Sequence, residues 1–154
     1  MEFIDFLGDQ WLLVATLLLF AAMLVWTESA KRALSLGVGD AVQWINRHQA
    51  LVIDLRSKED CQKGHIAGSV NFELADASEA SRIALREFLN KRKITTESRL
   101  LLVCDSGQKS RQIGSQLKKE GYTQAASLAR GVNGWGMDGL PLVSNKSPSK
   151  PSNK

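Results

Sequence analysis

Only two cysteines, Cys61 and Cys104, occur in 154 residues. Two thiols are too few for a disulfide scaffold, and their separation lacks the clustered spacing of a zinc site. Free thiols suit a reducing compartment. No internal repeat is visible, which argues against a solenoid or propeller. A broadly basic surface is missing too. The formal net charge is +4, and three of those charges are Lys146, Lys150 and Lys154 in the closing stretch "SNKSPSKPSNK". A sequence pI near 9.2 therefore reflects a solvated tail rather than a nucleic-acid-binding face. No apolar residue follows Val143, so residues 144–154 are expected to be a disordered basic tail. What is present is apolar material, 44% of the chain. That is enough for one domain with a real core plus a short appendage.

The longest apolar run, "WLLVATLLLFAAMLVW" at residues 11–26, contains no charge, and Thr16 is its only polar member. It is short beside the roughly 17–25 residues of an ordinary membrane span. Trp11 and Trp26 bracket it as interfacial aromatics do, and Gln10 and Thr27 can lengthen the helix into the headgroup layers. A cleaved signal peptide needs a basic start, whereas Glu2, Asp5 and Asp9 make this one acidic. The following "TESAKRA" offers no convincing cleavage site. The expectation is an N-terminal segment, 1–30, with a single transmembrane helix over about 10–28, whose partner is the lipid bilayer. Lys31 and Arg32 follow the run and no Lys or Arg precedes it. The positive-inside tendency then puts the N-terminus outside and the rest in the cytoplasm. The run has no Gly-x-x-x-Gly to suggest helix pairing.

Residues 31–37 read as a juxtamembrane linker and 38–143 as the globular domain. "GDAVQWINRHQ" carries Ala41, Val42, Trp44 and Ile45 at helical spacing, with Asp40 as a plausible N-cap. "LVIDL" (51–55), "LLLVC" (100–104) and "AASL" (125–128) are short continuous apolar runs, hence buried strands. "SRIALREFLNKR" (81–92) and "SRQIGSQLKKEGY" (110–122) have helical periodicity, the second closed by Gly121. Apolar strands alternating with helices predict an α/β fold with a parallel sheet covered on both faces.

In such a sheet, sites form beyond the carboxyl ends of the strands. Cys104 ends one, and "DSGQK" leads from it into a helix. The N–H groups of Ser106, Gly107, Gln108, Lys109 and Ser110 are expected to curl around one point, with Gly107 supplying the backbone freedom. Such a nest at a helix N-terminus favours an anion and stabilises a thiolate. Lys109 and Arg111 add positive charge. This makes Cys104 a candidate nucleophile. Cys61, in "KEDCQKGH", reads as a small buried residue on a short helix.

Three ordered stretches, "VIDLRSKEDCQKGHIAGSVNFE" (52–73), "CDSGQKS" (104–110) and "ARGVNGWGMDGLPLV" (129–143), resemble the rhodanese-like sulfurtransferase family, particularly its single-domain, membrane-anchored bacterial members. The resemblance spans about residues 38–143. It implies a parallel five-stranded sheet with helices on both sides and a bacterial inner-membrane location. It also implies a sulfurtransferase of thiosulfate sulfurtransferase type, in which Cys104 takes sulfane sulfur as a persulfide. The sulfur would then pass to cyanide, a small thiol or a protein acceptor. No metal or organic cofactor is implied, and no nucleic acid. The six-residue loop Cys104–Lys109 matches the family's cradle, so Asp105, Ser106, Gly107, Gln108, Lys109, Ser110 and Arg111 are the substrate-binding candidates. Asp54 and Arg56 match a structural pair. His65 matches as a hydrogen-bonded turn residue rather than a base, and Trp135 as a core aromatic. Asp105 departs from the pattern, since arginine is common there, and its charge opposes a dianionic donor. Two alternatives stand beside this reading. One is a non-catalytic module that docks a partner at the membrane. The other is a cysteine phosphatase, which needs Cys-x5-Arg, whereas Ser110 holds the sixth position after Cys104.

Overall fold

A computed structural model describes residues 10–30 and 34–144, the backbone alone for 27–30. The chain divides into two units, one ending at Arg32 and the other beginning at Ala33.

Among the described residues, the first unit contains one helix, α1 (Trp11–Ala30), of 20 residues. Its described side chains, 11–26, are exposed on every side, Val14 alone being half-buried. Thr16 satisfies its hydroxyl by donating to the Leu13 carbonyl at 2.9 Å, so the one polar side chain of the run presents no free donor. Among the described residues, no helix is long and apolar enough to cross a membrane. The expected span over about 10–28 extends past residue 26, the last of this helix whose side chain is described. The helix forms; its apolar run is residues 11–26, and Glu28 falls in its last turns. Sixteen residues at about 1.5 Å each reach roughly 24 Å, against about 30 Å of hydrocarbon. The acidic residues Glu2, Asp5 and Asp9, and the basic Lys31 and Arg32, lie outside the described residues, as does the tail beyond Ser144.

In the second unit the elements follow as β1 (Leu34–Leu36), α2 (Val38–His48), β2 (Leu51–Asp54), α3 (Lys58–Lys63), β3 (Val70–Asn71), α4 (Glu79–Lys91), β4 (Leu100–Val103), α5 (Gln108–Lys119), β5 (Ala125–Leu128) and α6 (Gly131–Met137). The sheet has five strands in the order β1-β5-β4-β2-β3, and every pairing is parallel. Every residue of β4 and β5 is buried, as central strands covered on both faces must be. Period-two alternation divides their side chains. Leu101, Val103, Ala126 and Leu128 join Ala41 of α2 and Val132 and Trp135 of α6 on one face. Leu100, Leu102 and Ala125 join Leu85 and Leu89 of α4 and Ile113 and Leu117 of α5 on the other. Two cores, one per face, thus clamp the sheet and fix where β4 ends.

Three local expectations shift. Part of the stretch expected as linker, residues 34–36, forms β1 and pairs with β5 from Leu34↔Ala126 to Leu36↔Leu128. Asp40 lies in the first turn of α2, and Gly37 is the N-cap. Starting α2 at Val38 lets that side chain join the core. Helix α5 begins at Gln108, not near Ser110, because Gly107 sits in the left-handed region (φ 86°) and turns the chain straight into the helix.

Candidate active site

β2 and β4 are neighbours, with Asp54 opposite Val103. Their carboxyl ends therefore deliver Asp54 and Cys104 to the same edge of the sheet. Cys104 is the first residue beyond β4 and is only 4% exposed. Its carbonyl accepts the Val132 N–H at 2.9 Å, and the Asp105 carbonyl accepts the Asn133 N–H at 3.2 Å. The first turn of α6 thereby holds the loop from beneath. That approach requires glycine at 131, where φ is 56° and a Cβ would stand 2.0 Å from the Cys104 carbonyl oxygen.

The sulfur is met by amides. The N–H of Gly107 lies 3.1 Å from Cys104 Sγ and that of Ser110 lies 3.4 Å away. The Ser110 hydroxyl stands 3.5 Å from Sγ and donates to the Gly107 carbonyl at 3.1 Å. As a thiol, Cys104 can donate to that hydroxyl. As a thiolate, it accepts two N–H groups at the N-terminus of α5, where the helix dipole also favours negative charge. Of the five amides expected to converge, Gly107 and Ser110 contact the sulfur; Ser106, Gln108 and Lys109 instead line the cavity above it. That cavity, of about 350 Å³, is bounded by Asp76, Ala77, Cys104, Asp105, Ser106, Gln108, Lys109 and Gln112.

The two basic candidates part company. Lys109 lines the cavity, but its ammonium donates to the carbonyls of Leu74 at 2.9 Å and Ala75 at 3.2 Å. It ties the segment before α4 to the start of α5. Arg111 does not line the cavity; its Nη2 lies 3.3 Å from Ser35 Oγ on β1. No guanidinium therefore enters the cradle in the way a phosphatase needs.

Asp76, Ala77 and Gln112 were not legible as site residues. Gln112 follows Gln108 by one helical turn, and that spacing is a signal that could have found it. Nothing local marks Asp76, whose segment is held at the cavity by Leu74 in the core, by the Leu74 N–H donating to the Leu55 carbonyl and by Lys109. Its carboxylate accepts from the Ser78 N–H at 3.1 Å and the Ser81 hydroxyl at 2.8 Å. These bonds, with the charge of Lys109, hold it below the usual carboxylate range.

Beneath the loop, Asp54 and Arg56 form a buried pair. Arg56 Nη2 and Nε reach the carboxylate at 2.7 and 3.0 Å, and Nη2 also donates to the Gly64 carbonyl at 2.7 Å. Burial works against the guanidinium's charge, but the hydrogen bond and charge of Asp54, with a contribution from Asp105, more than offset it and raise its pKa. Asn71 of β3 donates to the carbonyls of Asp54 and Arg56 at 3.1 and 2.9 Å. Cys61 Sγ lies 3.5 Å from Asp54 Oδ2. Burial first, then the charge of Asp54 and the hydrogen bond to it, push the Cys61 thiol up to about 11. His65 Nδ1 lies 2.9 Å from the Cys61 carbonyl, and its backbone bridges Val143. Trp135 is buried and donates to the Pro141 carbonyl at 3.2 Å. None of Asp54, Arg56, Asn71, Cys61, His65 and Trp135 borders the cavity.

The profile of the Rhodanese-like domain family matches residues 38–138. The protein YibN of Escherichia coli strain K12, itself uncharacterised, is 34% identical over 148 residues, covering 94% of this chain and 99% of its own. A putative sulfur carrier protein of Bacillus subtilis, YrkF, is 21% identical over 84 residues, covering 54% of this chain and 40% of its own. A rhodanese-related protein of Thermoplasma volcanium has the same fold, with a TM-score of 0.55 at 22% identity, over 71% of this chain and 97% of that one. The match over residues 38–138 and the cysteine loop at the end of the fourth strand place the chain in the rhodanese-like domain family.

Proposed function

We propose that the chain is a sulfurtransferase carrying sulfane sulfur on Cys104. The observation that carries this reading is the pair of amides, Gly107 and Ser110, aimed at a cysteine sulfur on the floor of a cavity. With thiosulfate as donor, the Cys104 thiolate attacks the outer sulfur. An S–S bond forms to Cys104, the bond to the sulfonate sulfur breaks with its electron pair, and sulfite leaves. The terminal sulfur of the persulfide then carries the negative charge, and the amides that held the thiolate face the same anionic site. Cyanide or a thiolate next attacks that terminal sulfur and departs as thiocyanate or a new persulfide, which returns the Cys104 thiolate. Each half-reaction conserves charge and uses only groups on this loop. The test is thiocyanate formation from a sulfane-sulfur donor and cyanide. Cys61→Ser retains it and Cys104→Ser abolishes it; activity surviving in Cys104→Ser refutes the reading.

The same reading places α1 at a bacterial inner membrane, N-terminus outside and the sulfur-carrying unit in the cytoplasm. An apolar helix exposed all round, with Trp11 and Trp26 at 62% and 77% exposure, has no polar face to turn to water, and lipid is the solvent that suits it. Its 16-residue apolar run is accommodated by local bilayer thinning at modest cost. Co-flotation of the chain with phosphatidylethanolamine–phosphatidylglycerol vesicles, lost when residues 1–30 are removed, checks the attachment.

A further inference from the structure

The charge around the cavity does not suit thiosulfate. Three of its lining residues carry charge, the carboxylates Asp76 and Asp105 and the ammonium of Lys109. Lys109 gives two of its three donors to the carbonyls of Leu74 and Ala75, and its charge acts on Asp76. Asp105 is exposed, adjoins the nucleophile and has no lining cation of its own. Arg111 is turned to Ser35, Arg130 is paired with Asp138 at 3.1 Å, and Arg56, which also interacts with the charge of Asp105, does not line the cavity and is buried against Asp54. The cavity therefore has two zones. The floor is positive, made of amides and the start of α5, and holds a sulfur anion. The walls bear one net negative charge and meet the rest of whatever molecule brings or removes the sulfur.

Resting on the sulfur-carrying role of Cys104, we propose that the cavity selects a sulfur partner with a cationic body, an aminothiol or its persulfide, and disfavours dianionic thiosulfate. The transfer is isoelectronic. The aminothiol's thiolate attacks the terminal sulfur of the Cys104 persulfide, the S–S bond to Cys104 breaks, and Cys104 leaves as the thiolate. The partner's ammonium stays protonated throughout, lying toward Asp105 while its sulfur lies over the amides. Gln108 and Gln112 supply neutral donors and acceptors on the α5 side of the same cavity.

The test reads charge selection at Cys104 without requiring any sulfur donor. The full chain is treated with two methanethiosulfonate reagents, one bearing a trimethylammonium-ethyl group and one a sulfonatoethyl group. Each forms a mixed disulfide with the thiolate and releases methanesulfinate. Rates at Cys104 are followed by peptide mass, and their cation-to-anion ratio is divided by that of free 2-mercaptoethanol. A ratio at least about fivefold above the free thiol at low salt is expected, falling as salt rises. Asp105→Asn lowers it by about fivefold, and Asp76→Asn by less, since Lys109 offsets that carboxylate. Both carboxylates are exposed, so the fold tolerates these changes, and the salt series on the unmodified chain gives an independent readout. A ratio at or below that of 2-mercaptoethanol, or one indifferent to salt and to Asp105→Asn, overturns the inference. Thiocyanate formation is scored separately. Cation preference without thiocyanate upholds the charge selection and removes the sulfurtransferase reading. Thiocyanate without cation preference does the reverse.

Discussion

Cys104 and Cys61 are both buried, and their chemistry is set by what faces each sulfur. Cys104 faces two N–H donors, and Cys61 faces the carboxylate of Asp54. Negative charge is stabilised at the first and opposed at the second. At pH 7 iodoacetamide should modify Cys104 and leave Cys61 untouched in the folded chain; equal rates on the two peptides would contradict the account. Reactivity at Cys61 should rise only as pH approaches about 11. The sign for stability follows from the same shift. The folded state holds the Cys61 proton more tightly than the unfolded chain does. That contribution is complete below the ordinary value of 9.0 and is lost as pH climbs through about 11. Gly131 tests the loop's support. Gly131→Ala combines left-handed strain of about 1–3 kcal/mol with a Cβ 2.0 Å from the Cys104 carbonyl. Gly139→Ala carries similar strain at φ 76° with nothing within 4 Å. Thermal unfolding should show Gly131→Ala the more damaged of the two, with its Cys104 reactivity lost; equal losses would mean that the close approach is not essential.

At the scale of elements, α5 and β2 position the site. Lys109 and Arg111 are two residues apart on α5, yet only Lys109 turns to the cavity. Lys109→Met cuts the tether to Leu74 and Ala75, so amide exchange across 74–78 should quicken and activity with thiosulfate should fall more than in Arg111→Ala. A larger effect of Arg111→Ala would reverse the assignment. Beneath the loop, Arg56→Met strands the buried carboxylate of Asp54 and the Gly64 carbonyl. Losing one partner of a buried pair costs about 3–5 kcal/mol, to be read from urea unfolding; a loss under about 1 kcal/mol would show that water replaces the guanidinium. The three strands seen in the sequence were legible because full burial leaves continuous apolar runs, and "AASL" matches β5 residue for residue. β1 and β3 were not. β1 has three residues, two of them exposed, and β3 has two, both half-buried, so neither leaves an apolar signature. Cys104 could be found because strand, glycine loop and helix are contiguous in sequence. Asp76 comes from 28 residues earlier and arrives through tertiary contacts, the burial of Leu74 and the hydrogen bonds of its segment to Leu55 and Lys109, which no local pattern encodes.

For the whole molecule, the two cores fix the ends of β2 and β4, the strand ends fix the loop, and the loop fixes the sulfur between its amides. Sulfur carriage on Cys104 is the claim on which the rest of this chain of causes bears. Intact mass of the full chain, taken after incubation with a sulfane-sulfur donor and again after cyanide, tests it most directly. The account predicts a gain of one sulfur atom that maps to the Cys104 peptide, is absent from Cys104→Ser, and disappears on cyanide treatment with stoichiometric thiocyanate. A chain whose mass does not change with thiosulfate, polysulfide or an aminothiol persulfide, or one that gains sulfur on Cys61 instead, would contradict it.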